Sequence, residues 1–163
     1  VSGLDPEEIL REIEWPTIFF FTGLFILVGG LEKTYVILLI SQKLIALTGG
    51  ILSKTTMFIL WGSAIFSSFV DNVPYTATMI SVIKSIGKAS TFDIKPLWWA
   101  LSLGACFGGN GTMVGAAANI IVVGFSKRSG YPIKFGEYFK VGFPLMLGSI
   151  LLTSIYLYLK FFI

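Results

Sequence analysis

The chain has 163 residues; 55% are hydrophobic and 13% charged, with a mean hydropathy of +0.83, against ~25% charged residues in soluble domains. This composition excludes a water-soluble globular fold and makes the lipid bilayer the first partner. The net charge of +3 is scattered over short loops without a basic stripe, which excludes a nucleic-acid binder, and one cysteine with no histidine leaves no internal disulfide and no usual metal ligand.

Residues 1–15 read as a polar helix, with Asp5 as N-cap, Pro6 at its first position and Glu7-Glu8 in its first turn. Their acidic character is unlike a cleavable signal peptide. Pro16 restarts the chain, and 16–31 is expected to span the membrane with Trp15 at the interface, although ~24 Å of helix is short of a ~30 Å core. The Phe19-Phe20-Phe21 run is expected to face lipid. Residues 32–50 carry Glu32, Lys33, Gln42 and Lys43 among aliphatics and read as an interfacial helix ending at Gly49-Gly50.

Residues 54–88 hold the most informative feature. No charged residue occurs from Thr55 to Val70 or from Val73 to Ile83, yet Asp71-Asn72-Val73-Pro74 sits between them. An ionised carboxylate in hydrocarbon costs at least ~2.5–3.5 kcal/mol by insertion scales, so something must compensate it. The run is too long for one straight span and too short for two, which need ~40 residues. A re-entrant hairpin with Asp71–Pro74 at its tip fits, because irregular backbone at that depth must be surrounded by protein or by a watery cavity. Asp71 can alternatively be a hairpin cap, and Ser63, Ser67 and Ser68 read as packing or back-bonding serines.

Residues 97–126 contain no charge and are interrupted at Gly108-Gly109-Asn110-Gly111-Thr112. They are expected to form a discontinuous transmembrane helix, with halves at about 97–107 and 113–126. Residues 137–162 read as a conventional span anchored by Tyr156, Tyr158 and Lys160. The fold class is therefore an all-α membrane protein with three crossings and one re-entrant hairpin, its termini on opposite sides. Lysines and arginines flank both sides, so the positive-inside rule does not orient it.

A broken helix exposes NH groups at one half-helix start and carbonyls at the other half's end, and these bind anions and cations without a full buried charge. Asn72, Asn110, Asn119, Thr76, Thr78 and Thr112 add neutral donors and acceptors, Gly111 lets the backbone approach closely, and Pro74 breaks the helix. Asp71 is the one group whose charge changes on proton binding. The candidate ion- and substrate-binding set is Asp71, Asn72, Pro74, Thr76, Asn110, Gly111, Thr112 and Asn119, with a Na⁺ site near Asp71 and Asn110, and Na⁺ or H⁺ as coupling ion. No further cofactor is expected, and no catalytic residue. The glycine pairs Gly104/Gly108 and Gly111/Gly115 also fit close helix packing. A phosphate cradle is not supported, because the Lys-Ser/Thr of a P-loop is missing.

The stretches Ser-Ser-Phe-Val-Asp-Asn-Val-Pro-Tyr-Thr-Ala-Thr-Met (67–79) and Leu-Gly-Ala-Cys-Phe-Gly-Gly-Asn-Gly-Thr-Met-Val-Gly-Ala-Ala-Ala-Asn (103–119) resemble signatures of the ion transporter superfamily. The branch is that of the arsenical-pump and sodium–proton antiporter permeases, together with the melanosomal P protein. Glu14-Trp15-Pro16-Thr17 and Gly142-Phe143-Pro144 are similar to the same branch. The resemblance implies half of an inverted-repeat transporter, here the C-terminal repeat, with a homodimer as the assembly. It also implies a partner N-terminal repeat, on the same or a separate chain, and the start at Val1 reads as that of a fragment. It places residues 1–14 in the cytoplasm, has the hairpin enter from the outer face, and locates the protein in a cell inner or plasma membrane. The dicarboxylate branch carries Ser-Asn-Thr at its hairpin tips where this chain has Asp71-Asn72-Val73, which argues against a dicarboxylate. The expected function is a secondary active transporter of a small inorganic ion coupled to H⁺ or Na⁺: sodium–proton exchange, or arsenite or anion transport. The competing classes are a non-transporting membrane subunit and an ion channel.

Overall fold

The computed structural model describes residues 15–163, so the polar helix expected over 1–15 lies almost wholly outside the described residues. Helix α1 runs Trp15–Lys33, α2 Val36–Thr48, α3 Leu52–Phe69, α4 Asn72–Ala89 and α5 Lys95–Gly108. A 3-10 turn follows at Gly109–Gly111, then α6 at Ala117–Arg128 and α7 at Phe135–Phe162. Among the described residues there is no strand, and the protein is all-α.

Local chemistry sets the corners. Between Ile18–Lys33 and Val36–Thr48 the axis bends by 67°, and Tyr35 stands at that corner in the left-handed region with φ 61. At the other end of α2 the amide of Gly49 donates to the Ala46 carbonyl and that of Gly50 to the Ile45 carbonyl, a Schellman-type finish. Gly49 and Gly50 have φ 63 and φ 68 with open space where a Cβ would be, so the demand is conformational alone. Gly50→Ala is expected to destabilise the protein by about 1–2 kcal/mol, seen as a lower thermal midpoint of the full-length carrier in detergent; an unchanged midpoint would contradict the role given to this turn.

Helix α3 is the axis of the packing. Its buried residues Thr55, Thr56, Ile59, Leu60, Ser63, Ala64, Ser67 and Ser68 recur at helical spacing and form a face of small and hydroxylated side chains. In hydrocarbon, association between helices relies on close contact and hydrogen bonds rather than on expelling water, so small residues bring backbones together. Gly104 sits against the Leu60 carbonyl, Gly108 against Ala64 and Gly111 against Ser68, so α5 runs parallel to α3. Helix α4 folds back along α3: the Tyr75 hydroxyl and Ser63 Oγ lie 3.1 Å apart, and the Phe66 and Tyr75 rings stack. Ser41 and Ser85, 2.9 Å apart, tie α2 to α4. Helix α7 runs antiparallel to α5, since Lys160 meets Trp99 at one end and Gly142 meets Asn110 at the other. Trp61 Nε1 donates to Ser154 Oγ at 3.1 Å. Among the described residues, no buried side-chain polar atom lacks a hydrogen-bond partner.

Phe19, Phe25, Ile26 and Leu27 on α1, and Leu145, Leu152, Ile155 and Leu159 on α7, are all exposed, an outward apolar surface of the kind lipid covers. Helix α7 is long and apolar enough to cross a membrane alone, and Ile18–Lys33 with Val36–Thr48 qualifies as a bent pair. The hairpin legs α3 and α4 have 18 residues each, about 27 Å apiece. The second half-helix, expected from 113, begins at Ala117. Thr112 and Ala116 are extended, and this wider break is held by contacts to α3 described next.

Candidate functional site: two helix breaks at one level

Because α3 and α5 run parallel and in register, their C-terminal ends fall side by side. Ser67 Oγ donates to the Ala105 carbonyl at 2.9 Å. Ser68 Oγ lies 2.7 Å from the Ala64 carbonyl in its own helix and 2.9 Å from the Gly108 carbonyl, and its one proton is shared between them. Thr112, fully buried, returns a hydrogen bond from Oγ1 to the Ser68 carbonyl. The Gly108 and Ser68 carbonyls, at the ends of two helices that both stop here, thereby gain side-chain partners where a carbonyl without one would be costly away from water.

Asn119, at the start of α6, closes the second break. Its Nδ2 donates to the Gly109 carbonyl at 2.8 Å and to the Thr112 carbonyl at 3.0 Å, bridging both sides of the interruption with one amide. Gly115 fits beneath: a Cβ there would lie 2.6 Å from the Gly109 carbonyl oxygen and 2.9 Å from those of Ser67 and Ser68. Gly111 is equally confined, 2.5 Å from Ser68 Oγ by the same measure.

At the hairpin tip, Asp71 is exposed and its Oδ1 accepts from the Val73 amide at 3.1 Å, capping α4. Pro74 occupies the first turn of α4, its carbonyl accepting from Thr78 Oγ1 at 3.1 Å. Asn72 and Thr76, both half-buried, line two adjoining cavities. One, of 320 Å³, lies between α4 and α5 and reaches Trp98, Ser102 and Cys106. The other, of 560 Å³, lies between α4 and α1 and reaches Phe25 and Val28. Asn110 looks elsewhere: it is exposed and lines a 580 Å³ cavity against α7, with Glu137, Tyr138 and Met146. The structure therefore joins the two breaks through Ser67, Ser68, Thr112 and Gly115, and brings Gly111, Thr112 and Asn119 together. The side chains of Asn72 and Thr76 face different cavities from that of Asn110.

Ser67 and Ser68 are the site residues that sequence reasoning passed over as packing serines. They do pack, yet their hydroxyls and carbonyls hold the break in α5–α6 open. The available signal was two rows of small residues, Ser63/Ser67 and Gly104/Gly108, at matching spacing. Among the described residues, no group of three or more histidines, cysteines or carboxylates could hold a metal ion.

A family model described as CitMHS, citrate transporter, matches residues 1–104. The chain belongs to the CitMHS citrate transporter family. An uncharacterized transporter of Mycobacterium tuberculosis is 44% identical over 168 residues, covering 100% of this chain and 38% of the relative. A 46 kDa membrane protein of Mycobacterium leprae is 41% identical with the same coverage. The human P protein is 37% identical over 94% of this chain and 19% of its own length. The chain thus spans 38% of the length of these mycobacterial relatives. Membership of CitMHS, within the ion transporter superfamily, makes this an integral membrane protein of a transporter family and bears out the resemblance read from residues 67–79 and 103–119. Both central motifs of that resemblance end in the site described above.

Proposed function

We propose that this CitMHS chain supplies half of the binding site of a secondary active transporter that moves a small inorganic ion coupled to H⁺ or Na⁺. The observation that carries the reading is the convergence of two interrupted helices: Thr112 bonded to the Ser68 carbonyl and Asn119 bridging the break. Irregular backbone inside a membrane protein is tolerated where it is enclosed by protein or lines a cavity, and there it serves as an ion site. The α3–α4 hairpin is taken to re-enter the membrane. In support, α7 continues beyond the breaks: Gly142 already abuts Asn110, and α7 extends to Phe135. The complete carrier pairs this unit with an inverted N-terminal repeat, is a homodimer, and resides in the inner or plasma membrane. Saturable, gradient-driven counterflow in proteoliposomes is the expected behaviour; flux that never saturates would instead establish a channel, and no flux at all a non-transporting subunit.

Asp71 is proposed as the coupling residue, one carboxylate for which H⁺ and a metal ion compete. Its capping bond uses one acceptor oxygen, which an asparagine retains. Asp71→Asn therefore removes the charge and keeps the cap. In the full-length carrier, ion-driven proton flux is expected to fall at least tenfold with normal insertion. Undiminished flux would assign Asp71 to capping alone.

The family description favours a second reading, an organic acid such as citrate as the cargo. The amide-bearing starts of α4 and α6, at Asn72 and Ala117, suit carboxylates, whereas Asp71 beside them repels a polyanion. Counterflow of labelled citrate at a rate above that of inorganic ions would establish this alternative.

A further inference from the structure

We propose that the α5–α7 face binds an anionic diacyl phospholipid, with its phosphate on Lys160 and an acyl chain in the groove below. Lys160 Nζ lies 3.8 Å from the centre of the Trp99 ring and donates to the Tyr156 hydroxyl at 2.8 Å. Its ammonium thus contacts an aromatic face and a phenol rather than a carboxylate, and with three N–H donors it retains capacity for a phosphate oxygen. Lys95 stands four residues before Trp99, hence on the same face of α5. Asp93 is at the same end of α5, and one of its carboxylate oxygens accepts from the Lys95 amide at 2.9 Å.

The second observation is the groove itself. From this cationic end a 430 Å³ cleft runs between α5 and α7, walled by Trp99, Leu103, Phe107, Leu152 and Tyr156. Ser149 and Thr153 also border it, but their hydroxyls donate to Leu145 and Ser149 carbonyls within α7, so they ask nothing of an occupant. A cationic aromatic mouth above an apolar cleft, at the end of a spanning helix where headgroups lie, is complementary to a negatively charged phospholipid. A zwitterionic lipid fills the cleft and also brings a phosphate, but its headgroup ammonium opposes Lys160 and cancels the net attraction; a soluble phosphate meets the ammonium and leaves the cleft empty.

The test uses the full-length carrier in nanodiscs of phosphatidylcholine, with brominated-chain phosphatidylglycerol or brominated-chain phosphatidylcholine titrated in. Bromine quenches indole on contact, and the difference between the native protein and Trp99→Phe isolates the Trp99 signal. Phosphatidylglycerol is expected to quench Trp99 at about fivefold lower mole fraction than phosphatidylcholine, one lysine's contribution at an anionic surface. Lys160→Gln should bring the ratio to one and Lys160→Arg should keep it, with glycerol phosphate failing to compete. Equal quenching by the two lipids, no quenching of Trp99, a preference surviving in Lys160→Gln, or displacement by glycerol phosphate would each overturn the proposal.

Discussion

Gly108→Val in the full-length carrier is expected to abolish accumulation of folded, monodisperse protein. A Cβ on Gly108 would lie 2.5 Å from the Ala64 carbonyl oxygen and 2.6 Å from the Ala64 Cα. These are backbone atoms of the central helix, so no rotamer change relieves the overlap. Helices α3 and α5 would have to separate, which also breaks the bonds from Ser67 and Ser68 to the α5 carbonyls. Overpacking alone typically costs 1–3 kcal/mol, and each buried polar group left unpaired adds about 1–3 kcal/mol. The control is Gly62→Ala on α3, where nothing lies within 4 Å of the added Cβ and better helix propensity should stabilise by up to about 1 kcal/mol. Size-exclusion chromatography and thermal melting in detergent read both. A monodisperse Gly108→Val with a native midpoint would mean that α3 and α5 do not pack as described.

Asn119→Ala is expected to lower transport at least tenfold while insertion and dispersity stay normal. The amide is half-buried and bonds the Gly109 and Thr112 carbonyls across the break. Losing it frees two carbonyls and the extended segment between them, at about 1–3 kcal/mol per stranded group. Asn119→Asp should fail equally, because an ionised carboxylate has no donor to offer either carbonyl. Counterflow in proteoliposomes measures the effect; native rates in both variants would remove Asn119 from the transport machinery.

The local signals explain why much of this was legible early. Asp71 in an uncharged run and the glycines at 108–111 are anomalies visible without neighbours, since hydrocarbon tolerates neither a bare charge nor loose backbone. The helix stops beside them follow directly, at Phe69 and Gly108. Sequence also named Asp71 as either a coupling acid or a cap. The structure places it as a cap whose bond uses one carboxylate oxygen.

What the sequence determined by itself, then, is the class of molecule and where its helices break, because both depend on which groups a chain can carry out of water. Tertiary structure alone decided how the breaks are used. Thr112 bonds a carbonyl 44 residues away and Gly115 is wedged against the Gly109, Ser67 and Ser68 carbonyls, and the second half-helix begins only at Ala117, after an extended Ala116. Likewise, Asn110 faces α7 while Asn72 and Thr76 face α5 and α1. Such assignments depend on which helix lies alongside, and hydrogen bonds between distant segments leave no period or motif in the chain that makes them.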